Sequence, residues 1–220
     1  MSLRAKAPLI ALLAVVTLFG SRAGAVDLTA MDGEVLQVAN EWARIKYQVR
    51  DKSEQLREMD ALARKAGALA GRYPGQAAPL LWKGIATSEE AGMASVLKQL
   101  GYAVAARKIF EQSEATEPRG ANGAVLMSLG VLYYRVPGFP MAFGDDRLAR
   151  KDLETALAMD PDGLDANYFY GDFLVKQGEF AKAKTVLAHA LRAPRNPQRP
   201  IWDAGRRAEV QGLLGKIDRR

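Results

Sequence analysis

The spacing of small residues in the last third of the chain limits its folding more than any other feature. Gly171, Ala183 and Ala190 stand 12 and 7 positions apart. The segment that holds them opens Asn167-Tyr168-Phe169-Tyr170-Gly171-Asp172-Phe173-Leu174, runs through Gly178-Glu179-Phe180-Ala181-Lys182-Ala183 and closes at Ala190-Leu191 before Pro194. Small side chains at those offsets let two antiparallel helices approach closely, so a helix pair is expected here. Such a pair cannot bury its apolar face alone, and similar units are therefore sought on either side.

A second copy lies upstream. Leu129-Gly130 and Tyr133 open a helix, Ala149, Leu153, Ala156 and Leu157 supply the partner face, and Asp160-Pro161 ends it. Between its two helices, Val136-Pro137-Gly138-Phe139-Pro140-Met141-Ala142-Phe143-Gly144 carries two prolines, two glycines and two phenylalanines, which reads as an ordered inserted loop without a helix of its own. A more degenerate copy runs from Pro79 to Pro118, with Trp82, Ile85, Ala86 and Glu89 on one face, Ala105, Ile109 and Phe110 on the returning helix, and extra residues around Ala94 to Gly101. From Asp32 to about Arg72, Val35, Val38, Trp42, Ile45, Val49, Leu56, Met59, Leu62 and Leu69 keep helical spacing until Tyr73-Pro74-Gly75, as one long helix or two shorter ones. After a Pro/Arg connector from Pro194 to Pro200, Ile201, Trp202, Val210, Leu213, Leu214 and Ile217 give a final helix, expected over about 201–218, that covers the last repeat. The expected fold is all-α: an α-solenoid of tetratricopeptide-like helix pairs, with repeat-like units at about 79–118, 123–161 and 164–194 and flanking capping helices.

Residues 1–25 are set apart from this fold. A basic start (Arg4, Lys6), an apolar run from Ala7 to Phe19 and a small-residue end at Ala23-Gly24-Ala25 have the form of a cleavable signal peptide. The run is shorter than the roughly 20 residues a membrane-spanning helix needs. The expected mature product, residues 26–220, is a single helical-repeat domain in the periplasm. The chain contains no cysteine, so disulfides and a lipid-bearing cysteine are both excluded. Its net charge of +6 falls to +3 once Arg4, Lys6 and Arg22 leave with the leader. That is an ordinary solubility margin and argues against a nucleic-acid partner.

Catalytic chemistry has little to work with. One histidine and no cysteine leave no Cys/His nucleophile pair and no histidine-rich metal site, and His189 sits inside a repeat helix. No glycine-rich phosphate loop is present. Asp160-Pro161-Asp162-Gly163-Leu164-Asp165 lacks the acidic spacing of a calcium loop, so Asp162-Gly163 is read as a turn and Asp165 as a helix cap. The adjacent pairs Glu89-Glu90 and Asp145-Asp146 are read as solvated surface or capping residues. No enzyme, cofactor or metal is expected. A hydrolase using Asp145 or Asp146 with Tyr168 is the remote alternative.

Binding has more to support it. Tyr133, Tyr134 and Arg135 precede the inserted loop, Asp145 and Asp146 follow it, and Asn167, Tyr168, Tyr170 and Asp172 lie together on the next helix. Tyrosines, an arginine able to grip a carboxylate bidentately, an amide and an inserted loop are the parts of a recognition surface. Core packing is the competing role for each tyrosine taken alone. The loop is harder to explain by packing, because seven extra residues rich in Pro and Phe are not needed to join two helices.

The same residues carry a resemblance. Tyr-Arg-Val-Pro-Gly-Phe-Pro at 134–140, Phe-Gly-Asp at 143–145, Leu-Glu-x-Ala-Leu at 153–157 and Asp-Pro-Asp-Gly-Leu-Asp-x-Asn-Tyr-Phe-Tyr-Gly-Asp-Phe-Leu at 160–174 are similar to the helical-repeat T-components associated with TRAP-type (tripartite ATP-independent periplasmic) transporters. The similarity covers about residues 123–194, with weaker agreement from 80 to 118. It implies a periplasmic protein that docks a transporter's solute-binding protein, compatible with a homo-oligomer and with passage of a small organic anion for which Arg135 is the natural partner. The positions matching the family are Pro137, Gly138, Phe139, Pro140, Phe143, Gly144, Asp145, Asn167, Tyr168, Tyr170 and Asp172. Typical members are lipid-anchored, whereas this chain has no cysteine to carry the lipid. The alternative reading is a general periplasmic tetratricopeptide adaptor for envelope protein assembly.

Overall fold

The computed structural model describes residues 28–219. The expected leader, residues 1–25, lies outside them. Among the described residues the chain forms nine α-helices and one short 3-10 turn, with no strand beyond a single bridge between Gly138 and Gly144.

The apolar stretch before Arg72 is two helices, α1 (Leu28–Gln48) and α2 (Lys52–Arg72). Asp51 makes the break: its carboxylate accepts the Glu54 backbone N–H at 2.8 Å and caps α2, which satisfies one of the donors a helix start leaves open. α2 stops at Tyr73-Pro74-Gly75, where Gly75 takes φ +83°, a conformation that costs a residue with a Cβ. The next pair is α3 (Ala77–Met93) and α4 (Val96–Thr116). The extra residues expected around Ala94 to Gly101 fall at the start of α4. Only Ala94 and Ser95 separate the helices, and the Lys98 and Gln99 N–H groups already bond to Ser95 O at 2.8 and 3.1 Å. The additional residues lengthen α4 instead of bulging from it. They leave Val96 and Leu97 at 81% and 96% exposure, an apolar stripe that no described element covers.

α5 (Ala124–Arg135) and α6 (Asp146–Met159) flank the inserted loop, while α7 (Leu164–Lys176) and α8 (Phe180–Ala190) form the pair that holds Gly171, Ala183 and Ala190. Both pairs depend on a missing Cβ. A methyl on Gly171 would stand 2.6 Å from Cγ and Cδ2 of Leu187, and one on Gly130 would stand 2.8 Å from Cγ of Leu153. Those distances are far inside van der Waals contact, so close helix approach requires glycine at both places.

α9 (Pro200–Ile217) covers more than the last repeat. It packs on α7 and α8 and also on α1, so that Val38, Trp42, Met59, Leu187, Trp202 and Val210 belong to one continuous core. The superhelix therefore curls until its last helix meets its first. Gly205 lets the Tyr47 ring lie against α9, since a Cβ there would be 2.7 Å from the ring. Asn40 Nδ2 donates to Gln198 O at 3.0 Å, and Tyr47 Oη donates to Glu209 at 3.2 Å across the same seam. Closure turns the concave face of the solenoid, made by α1, α3, α5 and α7, into a chamber. Among the described residues no helix is long and apolar enough to cross a membrane.

Candidate functional site

The chamber holds a cavity of about 190 Å³ lined from every inward helix and from α9. Four aromatic rings bound it: Trp42 of α1, Trp82 of α3, and Tyr168 and Phe169 of α7. They are locked together, with Trp42 edge-on to Trp82 at 5.8 Å and Tyr168 edge-on to Phe169 at 4.9 Å. Among them stand charged groups from distant parts of the chain. Lys46 donates to Glu89 at 2.7 Å, and that lysine, with hydrogen bonding, holds the Glu89 carboxyl below its usual range against the opposing effect of burial.

Arg206, at 2% side-chain exposure, is the strut of this wall. Its Nε donates to Asp165 at 2.6 Å, one terminal nitrogen donates to Glu209 at 2.6 Å, and its guanidinium lies 4.3 Å from the Tyr168 ring and 4.5 Å from the Phe169 ring. Trp202 Nε1 also donates to Asp165, at 3.1 and 3.2 Å. Burial, then the charge of Glu209, pushes the Tyr168 hydroxyl up to about 12, so it is a neutral hydrogen-bonding group and not a base at ordinary pH. Asp165 differs from the sequence reading here. The N-cap of α7 is Gly163, and Asp165 sits in the first turn with its carboxylate committed to α9.

The residues singled out from sequence divide between three places. Arg135 and Tyr168 reach the cavity, Arg135 at its rim with a side chain 49% exposed. Arg135 donates to Asp172 at 2.8 Å, and the buried Tyr134 hydroxyl donates to the same carboxylate oxygen at 2.5 Å, so Asp172 anchors α5 to α7. Asn167 and Tyr170 are packed between elements. Asn167 Nδ2 donates to Pro161 O at 2.8 Å and Gly163 O at 2.9 Å, pinning the turn before α7, while Tyr170 Oη donates to Glu154 at 2.6 Å and accepts from Lys182 at 2.6 Å. His189 lies near that turn, 2.8 Å from an Asp162 carboxylate oxygen.

The third place is the loop. Gly144 N–H donates to Pro137 O at 2.8 Å and Asp145 N–H to Tyr133 O at 3.0 Å, which closes its base. A Cβ on Gly144 would collide with the Val136 carbonyl, so the base tolerates only glycine there. The Asp145 carboxylate caps α6 by accepting from the Arg147 and Leu148 N–H groups at 2.8 and 3.1 Å, and Asp146 occupies the first turn, where a negative charge suits the helix dipole. Phe143 turns inward, edge-on to Tyr133 at 6.3 Å and 4.6 Å from the Arg107 guanidinium. Phe139 and Met141, flanking the cis Phe139-Pro140 bond, turn outward and are 93% and 73% exposed.

Trp42, Lys46, Asp165, Arg199, Arg206 and Glu209 were not among the sequence-derived site residues, although they supply much of the cavity wall. Trp42 carried only a helical-face signal, and Arg199 lay in what read as a connector. Nothing local marked either, because α1 and α9 come together only when the superhelix closes.

A tetratricopeptide-repeat family model matches residues 141–217, which span α6 to α9. No curated protein sequence matches the chain. Among solved structures, a thermophilic TPR protein of Thermus thermophilus is similar at a TM-score of 0.55 and 18% identity, over 85% of this chain and 92% of that one. At that identity the likeness concerns architecture alone. From the matched repeat, the shared architecture and the glycine-dependent helix pairs, the chain has the fold of a tetratricopeptide-like helical-repeat protein.

Proposed function

We propose that this protein works by binding rather than by catalysis, as the periplasmic accessory component of a TRAP-type transporter, and that the tip of the 136–146 loop docks the solute-binding protein. One observation carries the docking role: Phe139 and Met141 stand almost fully in solvent on a loop whose base is fixed by hydrogen bonds and whose Phe143 is tied to Tyr133 and Arg107. Large apolar side chains held out from a fixed loop suit burial against a partner far better than contact with water. The similarity of residues 134–145 and 160–174 to the T-components supports a solute-binding protein as the partner, and the leader-like form of residues 1–25 supports the periplasm as the compartment.

The test is co-purification from an envelope fraction using the mature chain as bait, beside a Phe139→Ser/Met141→Ser variant. Wild-type bait is expected to enrich a TRAP-type solute-binding protein and the variant to lose it while keeping its helical circular dichroism. Recovery of envelope-assembly factors alone, unaffected by the two substitutions, would replace the transporter reading with the adaptor reading.

A further inference from the structure

Helix α4 runs on past the body of the molecule. The Phe143 ring stands 4.6 Å from the Arg107 guanidinium and edge-on to Tyr133, which places Arg107 level with the last turn of α5. Because α4 begins at Val96, about 16 Å of it, at 1.5 Å per residue, lies beyond the end of its neighbour. Ser95 to Gly101 are all exposed, and so long a run covers every direction around the helix. Val96 and Leu97 are 81% and 96% exposed, and Leu100 and Val104 continue the apolar stripe at 42% and 48%. The opposite side of the same helix buries Ala103, Ala106 and Phe110. A helix that is apolar on both sides is normally covered on both, and among the described residues nothing covers the outer one.

Charge and shape select the surface that does. Residues 91–110 contain no aspartate or glutamate, although the chain has 25, and they carry Lys98, Arg107 and Lys108. The acids bracketing this segment are engaged elsewhere: Glu89 with Lys46, Glu90 buried in the seam between α2 and α3, and Glu111 with Arg107. An aliphatic wedge with a lysine among its leucines suits an anionic bilayer surface, since the apolar side chains enter the acyl boundary while the lysine extends its amine to the headgroups. A second copy of the chain fits less well, because a symmetric contact through this stripe sets Lys98 near Lys98 and one convex tip against another. Residues 95–101 also lack the tryptophan, tyrosine or arginine anchors in which protein interfaces concentrate their affinity. No described helix is long and apolar enough to cross a membrane, so the contact is peripheral.

We propose that the α4 projection, residues 95–104, is a membrane-surface anchor: Val96, Leu97, Leu100 and Val104 insert among the lipids of an anionic bilayer surface, and Lys98 pairs with the headgroup phosphates. This face uses residues other than the docking loop, so it stands or fails independently of the transporter reading.

The experiment is co-sedimentation with vesicles of phosphatidylcholine, alone or mixed with phosphatidylglycerol, using the chain without residues 1–25, whose apolar run would itself enter lipid. The chain is expected to sediment with the mixed vesicles, and less with phosphatidylcholine alone or at raised salt. Val96→Ser/Leu97→Ser is expected to weaken binding about tenfold and Lys98→Glu severalfold, while Phe139→Ser/Met141→Ser binds as wild type. All of these positions are exposed, so the variants keep the fold. No binding to the mixed vesicles, or wild-type binding by Val96→Ser/Leu97→Ser, would overturn the proposal. So would an assembly of copies, seen by sedimentation equilibrium without lipid and broken by the same two substitutions, which would assign the stripe to a second copy.

Discussion

Replacing Glu90 with glutamine is expected to stabilise the protein at alkaline pH and leave it unchanged in mild acid. Glu90 follows Glu89 on α3, but the two point to different faces: Glu89 meets Lys46 in the cavity, while Glu90 enters the seam between α2 and α3. The sequence reading of this pair as solvated surface or capping residues does not hold for Glu90, which is 3% exposed and whose Oε1 has no hydrogen-bond partner among the described residues. Burial first, and the neighbouring Asp60 charge second, raise its carboxyl from 4.5 to about 7, with Arg64 only partly opposing them. Because the folded value lies above the unfolded one, the folded state holds the proton more tightly. The associated stability is fully present below about pH 4.5 and is lost as pH rises toward 7.

A shift of about two and a half pH units corresponds to about 3 kcal/mol, at 1.36 kcal/mol per unit. Glutamine has nearly the same shape and no charge, so Glu90→Gln removes this loss. For a domain of this size 1 kcal/mol moves Tm by about 2 to 4 °C, so the variant should match wild type at about pH 4.5 and melt about 6 to 12 °C higher at about pH 8. Thermal melts followed by circular dichroism across that range provide the assay, and the wild-type comparison cancels every other titrating group. A Tm difference that stays constant with pH would refute the argument, since it would mean that Glu90 is charged in the folded state at no cost.

Other expectations follow from the closure and from the close helix contacts. Arg206→Met removes the strut between α7 and α9 and leaves Asp165 with Trp202, and Glu209 with Tyr47, in place of an ion pair; urea denaturation should show a loss of about 3 kcal/mol, and a change within experimental error would mean the pairing does not hold the seam. Gly171→Ala gains about 1 kcal/mol of helix propensity but drives a methyl into Leu187, a strain that overpacking data place at about 1 to 3 kcal/mol, so a net loss of about 1 kcal/mol is expected and a stabilised variant would contradict the packing. Asp145→Ala leaves the Arg147 and Leu148 N–H groups uncapped and should cost about 1 kcal/mol by the same measurement, with no loss marking the cap as dispensable.

How much of this was readable in the sequence depended on whether the cause was local. The Gly171, Ala183 and Ala190 offsets announced a helix pair because close approach needs small side chains at fixed positions, and the structure puts Gly171 against Leu187. Asp145 acts within a few residues of itself, as helix caps do; Asp51 acts as locally, but the sequence reading did not single it out. The cavity was not readable, because Trp42 and Arg199 are 157 positions apart and meet only after the helices have stacked through a full curl. Asp165 reads locally as a cap for the same reason: its partners Trp202 and Arg206 belong to a helix whose place does not follow from local pattern. At α4 the extra residues were legible but their conformation was not: Val96 to Gly101 contain no proline, so they extend the helix instead of forming a loop.

Hydrogen exchange on the chain, alone and with the captured solute-binding protein, tests the docking account most directly. Exchange is expected to slow across residues 136–146 on complex formation, with the exposed stripe of α4 at Val96, Leu97, Leu100 and Val104 unchanged. Protection over that α4 stripe with an unaltered loop would contradict it and move the partner to the other apolar surface.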